Sequence, residues 1–201
     1  MRLPLILLLL CALAPVFIGR LRAAPLWLAL QALMLAWIGV VRHADWSLHV
    51  LGTALEMVLV RAVATPLLLA RTLRLRGEAD VDLMPSNLFT WAIGIALIAL
   101  AFDFGGAAMA DDQALALGVV GALVAMALLV LSTNGSPVAQ LVAVLFMENA
   151  IAVFESLLPE PWPLPIQAML TAVYLLTVLV GCWLIGQVQP APAAVPPEGG
   201  R

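Results

Sequence analysis

The chain has 201 residues, of which 64% are hydrophobic and 10% are charged, whereas a soluble domain carries roughly 25% charged residues. A chain this apolar cannot hide its hydrophobic surface in one water-soluble core, so the composition indicates an integral membrane protein embedded in the lipid bilayer. The formal net charge of −3 comes without a basic arm or interleaved basic and aromatic residues, which argues against nucleic-acid binding.

Seven long apolar blocks are separated by short polar connectors, and this pattern predicts an all-α, multi-pass transmembrane helical bundle of about seven helices. A transmembrane β-barrel would instead show alternating segments of ~10 residues. The blocks, in chain order, are residues 3–19, 25–41, 46–70, 88–104, 114–131, 138–157 and 166–188. Several are shorter than the ~20 residues that span a bilayer comfortably. We expect one transmembrane domain over residues 1–188.

The two ends of the chain need separate interpretation. Block one begins like a signal peptide, with Arg2 followed by leucines, but Pro15 directly follows an Ala-x-Ala pattern and disfavours cleavage there. The apolar run also continues beyond this proline, so we interpret the block as an uncleaved first helix. Residues 189–201 are rich in Pro, Ala and Gly, and they are predicted to form a disordered cytoplasmic tail.

The arginines predict the orientation of the bundle. The connectors after blocks one and three together contain five arginines, whereas those after blocks two, four and six together contain one. By the positive-inside rule, the N-terminus is expected outside the cell and the C-terminus in the cytoplasm. We expect the protein to lie in the cell inner (plasma) membrane.

The sixth block contains the most informative stretch of the chain. Glu148, Asn149 and Glu155 stand here among apolar residues, although an ionisable group at bilayer depth costs a few kcal/mol. Glu148 and Glu155 are seven residues apart, about two helical turns, so both lie on nearly the same helix face. Asn149 can hydrogen-bond beside Glu148. Such groups usually face a protein interior or a water-filled path, and they are candidates for moving charge.

The third block adds Glu56 and Arg61, followed by Pro66. Five residues on an α-helix correspond to ~140° of rotation, so Glu56 and Arg61 need not pair directly. Arg61 lies too deep to reach the membrane interface, and it needs a buried partner, for which Glu148 and Glu155 are candidates. Pro66 frees a backbone carbonyl four or five residues earlier, close to Arg61.

These residues allow two interpretations, a structural contact that fixes helix packing and a proton relay. Burial favours the neutral form of a carboxylate and a nearby cation favours the charged form, so a Glu/Arg set near that balance can load and release a proton. The predicted relay residues are Glu148, Glu56, Arg61, Glu155 and Asn149. With Cys11 and Cys182 isolated and no nucleophile–base pair or phosphate loop, we expect no catalytic centre, metal or cofactor.

Residues 140–151, Gln-Leu-Val-Ala-Val-Leu-Phe-Met-Glu-Asn-Ala-Ile, resemble the Gln-x-x-Gly-x-Leu-x-x-Glu-Asn-Gly motif of the hydrogenase-4 component E family. Residues 55–71 are similar to that family's third helix, in which a Lys stands five residues before a Pro, so Arg61 takes the place of that Lys. Ala143 and Ala150 replace the family's glycines. Because Arg is much harder to deprotonate than Lys, Arg61 is expected to tune a carboxylate rather than carry the proton.

The resemblance covers roughly residues 20–188 and implies a membrane subunit of a group 4 NiFe hydrogenase or of another complex I-like assembly. The family's last three helices are similar to the K subunit of bacterial complex I, which has its N-terminus outside and a Glu in its middle helix that feeds a lateral proton path. Antiporter-like membrane subunits are the implied neighbours, and a peripheral redox arm is the implied indirect partner.

The sequence thus predicts a non-catalytic integral membrane subunit of a proton-translocating hydrogenase or respiratory complex, which contributes a buried Glu/Arg proton relay. Two alternatives stay open. One is a structural spacer subunit that conducts no ion. The other is a small standalone permease, which an inverted repeat with broken helices would favour.

Overall fold

The computed structural model describes residues 2–17, 20–42, 48–76, 80–85, 87–108, 111–155, 158 and 162–187. The helices over these residues are α1 (Arg2–Phe17), α2 (Ala24–Arg42), α3 (Leu48–Glu56), α4 (Thr65–Arg76), α5 (Leu88–Ala108), α6 (Asp111–Thr133), α7 (Pro137–Glu155) and α8 (Leu164–Gln187). A 3-10 turn, Leu21–Ala23, leads into α2, and a π-helical segment, Met57–Ala64, joins α3 to α4 without a break.

Because α3, the π-helical segment and α4 form one continuous rod, the described helices make seven rods, as the seven apolar blocks predict. Six of these rods are long and apolar enough to cross a membrane. The prediction of an all-α, multi-pass bundle is therefore confirmed, and the chain is a multi-pass membrane protein. The shorter α1 packs its buried face against α2 and α6. The predicted disordered tail, residues 189–201, lies outside the described residues.

The bundle is built around α7, the helix that carries Glu148 and Asn149. In its transmembrane stretch 61% of the residues are buried, compared with 17% in α5 and in α8. Alanines such as Ala139 and Ala143 let neighbouring helices come close, and Phe146 fills the space between them. The peripheral helices α5 and α8 turn large apolar side chains outward, where lipid or another chain can cover them.

Helices α5 and α6 pack closely through glycines. A Cβ atom at Gly105 would lie 2.7 Å from the backbone oxygen of Ala114, and one at Gly118 would overlap the ring of Phe102. Larger side chains at these positions would push the two helices apart. Small residues at helix crossings are a common packing device in membranes, and this explains why the glycines stand where they do.

The connector between α4 and α5 is held against the end of the bundle, and the three arginines that the sequence assigns to this connector lie instead in α4, which continues to Arg76. The N–H of Leu21 donates to the carbonyl of Val81 at 2.8 Å. Asn134, between α6 and α7, donates through Nδ2 to the carbonyls of Asp82 at 2.9 Å and Leu83 at 3.0 Å. These bonds fix the ends of α2, α4, α6 and α7 relative to one another, so the polar residues that these helices carry have defined positions.

Candidate functional site

The rod formed by α3 and α4 widens into a π-helix over Met57–Ala64, just before Pro66. Proline has no N–H, and its ring clashes with the carbonyl four residues earlier in a regular α-helix. Here the N–H of Thr65 instead bonds to the carbonyl of Val60, five residues back, so the backbone is already widened where the proline ring must fit. Segments of this kind frequently occur at functional sites.

The π-helical segment explains how Glu56 and Arg61 come together. On an α-helix the five-residue spacing separates them by ~140°, whereas a π-helix repeats its hydrogen bond every five residues. Residues five apart therefore lie nearly above one another. Arg61 Nε lies 3.7 Å from Glu56 Oε1, and the two side chains are 8% and 20% exposed. This distance is an ion pair rather than a hydrogen bond.

A tyrosine from α8 holds the other side of the arginine. The guanidinium carbon of Arg61 lies 4.2 Å from the ring centroid of Tyr174, which is 1% exposed. A cation over an aromatic face is attracted by the ring quadrupole. Arg61 Nε and Nη1 have no hydrogen-bond partner among the described residues. The ion pair with Glu56 and the Tyr174 ring therefore hold this buried cation, and these two N–H donors can still bind another group.

A small cavity of ≈ 20 Å³ joins these groups to α7. About 10–15 Å³ is enough for one water molecule, so the cavity has room for a water that could bridge the polar groups around it. We refer to it as the ion-pair cavity. Its polar lining residues are Glu56, Arg61, Glu148, Glu155, Gln167 and Thr171. Four of the five predicted relay residues therefore line one cavity.

Carboxylates outnumber cations among the described residues that line the ion-pair cavity. Three carboxylates line it with one guanidinium, and the guanidinium of Arg61 acts electrostatically on Glu148 as well as on Glu56. Since one cation compensates one carboxylate, Arg61 cannot fully compensate Glu56 and Glu148 together, and a proton can neutralise the other carboxylate. The sequence suggests Glu148 or Glu155 of α7 as the partner of Arg61, but the ion pair that the described residues show is with Glu56, which the π-helical segment places beside it.

Helix α8 contributes polar residues that the sequence analysis missed. Gln167 Nε2 donates to Thr53 Oγ1 at 2.7 Å, and Gln167 Oε1 is buried without a partner among the described residues. The Thr171 hydroxyl lies 3.1 Å from the carbonyl of Gln167 and within reach of the Glu56 carboxylate. Because the hydroxyl has one proton, it can donate to only one of these two acceptors at a time. Gln167, Thr171 and Tyr174 follow i, i+4, i+7 spacing, which marks one helix face. This polar stripe is the signal that could have identified them.

The fifth predicted relay residue, Asn149, faces away from the ion-pair cavity. Its Nδ2 donates to Gln31 Oε1 at 2.9 Å, and Gln31 Nε2 donates to the carbonyl of Cys11 at 3.3 Å. Adjacent residues on a helix differ by ~100° in direction, so Asn149 points to α2 while Glu148 points to the cavity. The buried amide pair links α7, α2 and α1.

Over the part of the chain that the structure describes, no group of three or more His, Cys, Asp or Glu side chains could hold a metal ion. No family model, curated protein or solved structure matches this chain.

Proposed function

We propose that this chain is a non-catalytic membrane subunit of a proton-translocating, complex I-like assembly, in which the ion-pair cavity forms part of a proton path. The observation that carries the proposal is the meeting of three carboxylates and one guanidinium from two rods of the bundle. Apolar side chains of similar size would pack there at equal or lower cost. Ionisable groups kept within a membrane usually mark an ion path.

Sharing one cation between two carboxylates supplies a mechanism. An arginine side chain is not deprotonated in proteins, so the mechanism takes the guanidinium of Arg61 as a fixed positive charge. When its guanidinium is drawn towards Glu56, Glu148 loses compensation and takes up a proton. When the guanidinium shifts towards Glu148, that carboxyl releases its proton. Tyr174 limits this movement because its ring lies against the guanidinium.

The depth of the carboxylate fits a step partway across the bilayer. Glu148 precedes the end of α7 by seven residues, which corresponds to ~10 Å along a helix. A hydrocarbon core is ~30 Å thick, so Glu148 lies about one third of the way in from that end. A second carrier on another chain must then complete the crossing.

The resemblance of residues 140–151 to the hydrogenase-4 component E family supports an assembly with antiporter-like membrane subunits, with a redox arm attached elsewhere and the inner membrane as its location. The outward-facing apolar surfaces of α5 and α8 are suited to such neighbours. Purification in mild detergent, followed by identification of the chains that co-elute, tests this part. Elution as a lone substrate-binding monomer would instead support the permease.

Glu148→Gln tests the relay. The amide keeps the shape of the side chain but cannot exchange a proton, so proton pumping by the reconstituted complex should fall by ~100-fold, the scale at which a positioned proton donor contributes. Assembly should be unchanged. Asp103→Asn is the matched control, because it removes an exposed carboxylate of α5 away from the cavity, and it should pump normally. Normal pumping by the Glu148→Gln complex would contradict the relay and favour a structural spacer.

A further inference from the structure

A second and larger cavity of ≈ 60 Å³ lies where α2 ends and α3 begins. Its walls come from α2, α3, the π-helical segment, α7 and α8, and its polar members are Arg42, Thr53, Glu155 and Gln167. A water molecule occupies ≈ 30 Å³ in the liquid, so this space has room for water and has polar groups to bind it. We refer to it as the vestibule.

The vestibule and the ion-pair cavity share part of their walls. Met57, Ala152, Glu155 and Gln167 line both, so these four side chains separate the two spaces. Two of them are polar and can carry a hydrogen-bonded chain from one space to the other. The other two, Met57 and Ala152, are apolar and each only 8% exposed, and they restrict the passage.

Beyond the ion-pair cavity, towards the opposite membrane face, the described residues are closely packed and mostly apolar, and the buried Thr65 and Thr72 of α4 line neither cavity. Leu69 and Val142 are fully buried there, and Val178 is 1% exposed. The polar lining is therefore asymmetric: it runs from the end of α2 to the Arg61–Glu148 level and stops at a packed core. This asymmetry gives the path a direction.

We propose that the vestibule is the passage through which the ion-pair cavity exchanges protons with one side of the membrane, and that Met57 and Ala152 form a hydrophobic gate between the two spaces. Methionine is unbranched and has three rotatable bonds, so the Met57 side chain can swing aside without moving the backbone. Ala152 opposite it leaves the room for that movement. Met57 is also the first residue of the π-helical segment, so a change in that segment moves the gate together with Arg61.

The mouth of the vestibule is anchored by Arg42, whose guanidinium donates to the carbonyl of Leu158. This bond ties the end of α2 to the chain that follows α7. The arginine distribution predicts that this end faces the outer side of the membrane, so the vestibule is expected to open outward. The inference rests on the proposed function only for the identity of the ion, because the route itself can be measured without pumping.

Silver-ion accessibility of introduced cysteines tests the route in the full chain within sealed vesicles. Cys11→Ala and Cys182→Ala first remove the native thiols. Thr53→Cys then reports on the vestibule, Thr171→Cys on the ion-pair cavity, and Thr72→Cys, at a buried site of α4 that lines neither space, is the control. Modification is measured as the loss of thiols that react with a fluorescent maleimide after denaturation.

We expect Thr53→Cys to react with Ag⁺ added to the face at which α2 ends, and Thr72→Cys to stay unreactive. Thr171→Cys should react from the same face at least ~10-fold more slowly, since minor open states are commonly populated at 0.1–10%. Adding Met57→Ala should raise the Thr171→Cys rate about tenfold by that argument, with the Thr53→Cys rate unchanged. Ala152→Leu should lower the Thr171→Cys rate, because the larger side chain narrows the passage beside Met57.

Three results would overturn the inference: an unreactive Thr53→Cys, reaction of Thr171→Cys from the opposite face, or a Thr171→Cys rate that Met57→Ala leaves unchanged. The proposed function fails separately, if Glu148→Gln pumps normally. A graded silver accessibility with normal pumping would leave a gated water-filled entrance that does not serve a proton relay through Glu148.

Discussion

At the scale of single residues, Arg61 shows how a buried cation is held when hydrogen bonds are scarce. Glu56 lies 3.7 Å away, the Tyr174 ring lies against the guanidinium, and two of its donor nitrogens have no partner within the described residues. A buried charge that loses its counter-ion is strongly destabilising, whereas replacing both members of a pair can be nearly neutral. The Glu56–Arg61 pair can therefore be tested by stability as well as by pumping.

Arg61→Gln should lower the free energy of unfolding by about 3 kcal/mol, because it leaves the Glu56 carboxylate buried without a cation. Glu56→Gln combined with Arg61→Gln should cost less than Arg61→Gln alone. Unfolding in mixed micelles by titration with a denaturing detergent measures both values. Arg71→Gln, at an exposed arginine of α4, is the matched control and should stay within about 0.5 kcal/mol of the parent. Additive effects of the two cavity substitutions would show that the pair is not coupled.

The sequence predicts the charged members of the cavity but not their polar neighbours. Glu148 and Arg61 stand out because lipid tolerates neither. The sequence gives little indication of the polar neighbours Gln167, Thr171 and Tyr174, because single Gln, Thr and Tyr residues are ordinary in membrane helices. The only signal is that the three share one helix face. Asn149 shows the opposite case: its sequence neighbour lines the cavity, yet its own side chain bonds to Gln31.

At the scale of helices, apolar blocks predict the rods well but not the change of helix type within one of them. The hydrophobic pattern of residues 46–70 does not change visibly along the block. It therefore does not distinguish α-helical from π-helical hydrogen bonding. Pro66 indicates that a regular α-helix is disrupted just before it. A kink or a widened turn would each remove the clash of the proline ring, and the sequence does not say which of the two occurs. The close approach of α5 and α6 can be predicted from the glycines in both helices, because glycine at a helix crossing mainly serves to let two helices pack closely.

Two neighbouring glycines of α5 provide a matched test of that crossing. Gly105→Ala should lower stability by about 1–3 kcal/mol, the usual cost of overpacking, because the new Cβ would lie 2.7 Å from a backbone oxygen of α6. Gly106→Ala meets nothing within 4 Å and should be neutral or slightly stabilising, since Ala suits a helix better than Gly. Thermal unfolding in detergent compares the two. Equal effects would mean that α5 and α6 are not held at this distance.

At the scale of the whole molecule, the two cavities lie towards one end of the bundle, which is the wet end under our proposal, and the packed core around Val142 and Leu69 lies towards the other, dry end. The prediction that the wet end faces outward comes from arginines alone, and helix packing does not bear on it. Glu148 and Arg61 lie between the wet end and the packed core around Val142 and Leu69. Orientation therefore decides with which side of the membrane Glu148 exchanges its proton.

Reporter fusions check the orientation. A fluorescent protein fused after residue 201 should fluoresce, because it folds in the cytoplasm, and alkaline phosphatase fused there should be inactive. Alkaline phosphatase inserted between α5 and α6 should be active, because that connector is predicted to lie outside by the positive-inside rule. The reverse pattern would place the vestibule on the cytoplasmic side, and protons would then enter from within the cell.

The vestibule also has an electrical consequence. If it is filled by water that conducts ions, the outer solution reaches to within one or two helical turns of Glu148, and little of the transmembrane voltage drops over that distance. Nearly the whole voltage then falls across the dry remainder of the bilayer, ~20 Å of the ~30 Å core. Each 100 mV is worth ~2.3 kcal/mol per elementary charge, so the proton transfer between Glu148 and the cytoplasmic side, rather than the exchange of Glu148 with the outer solution, would be the step on which the membrane voltage acts.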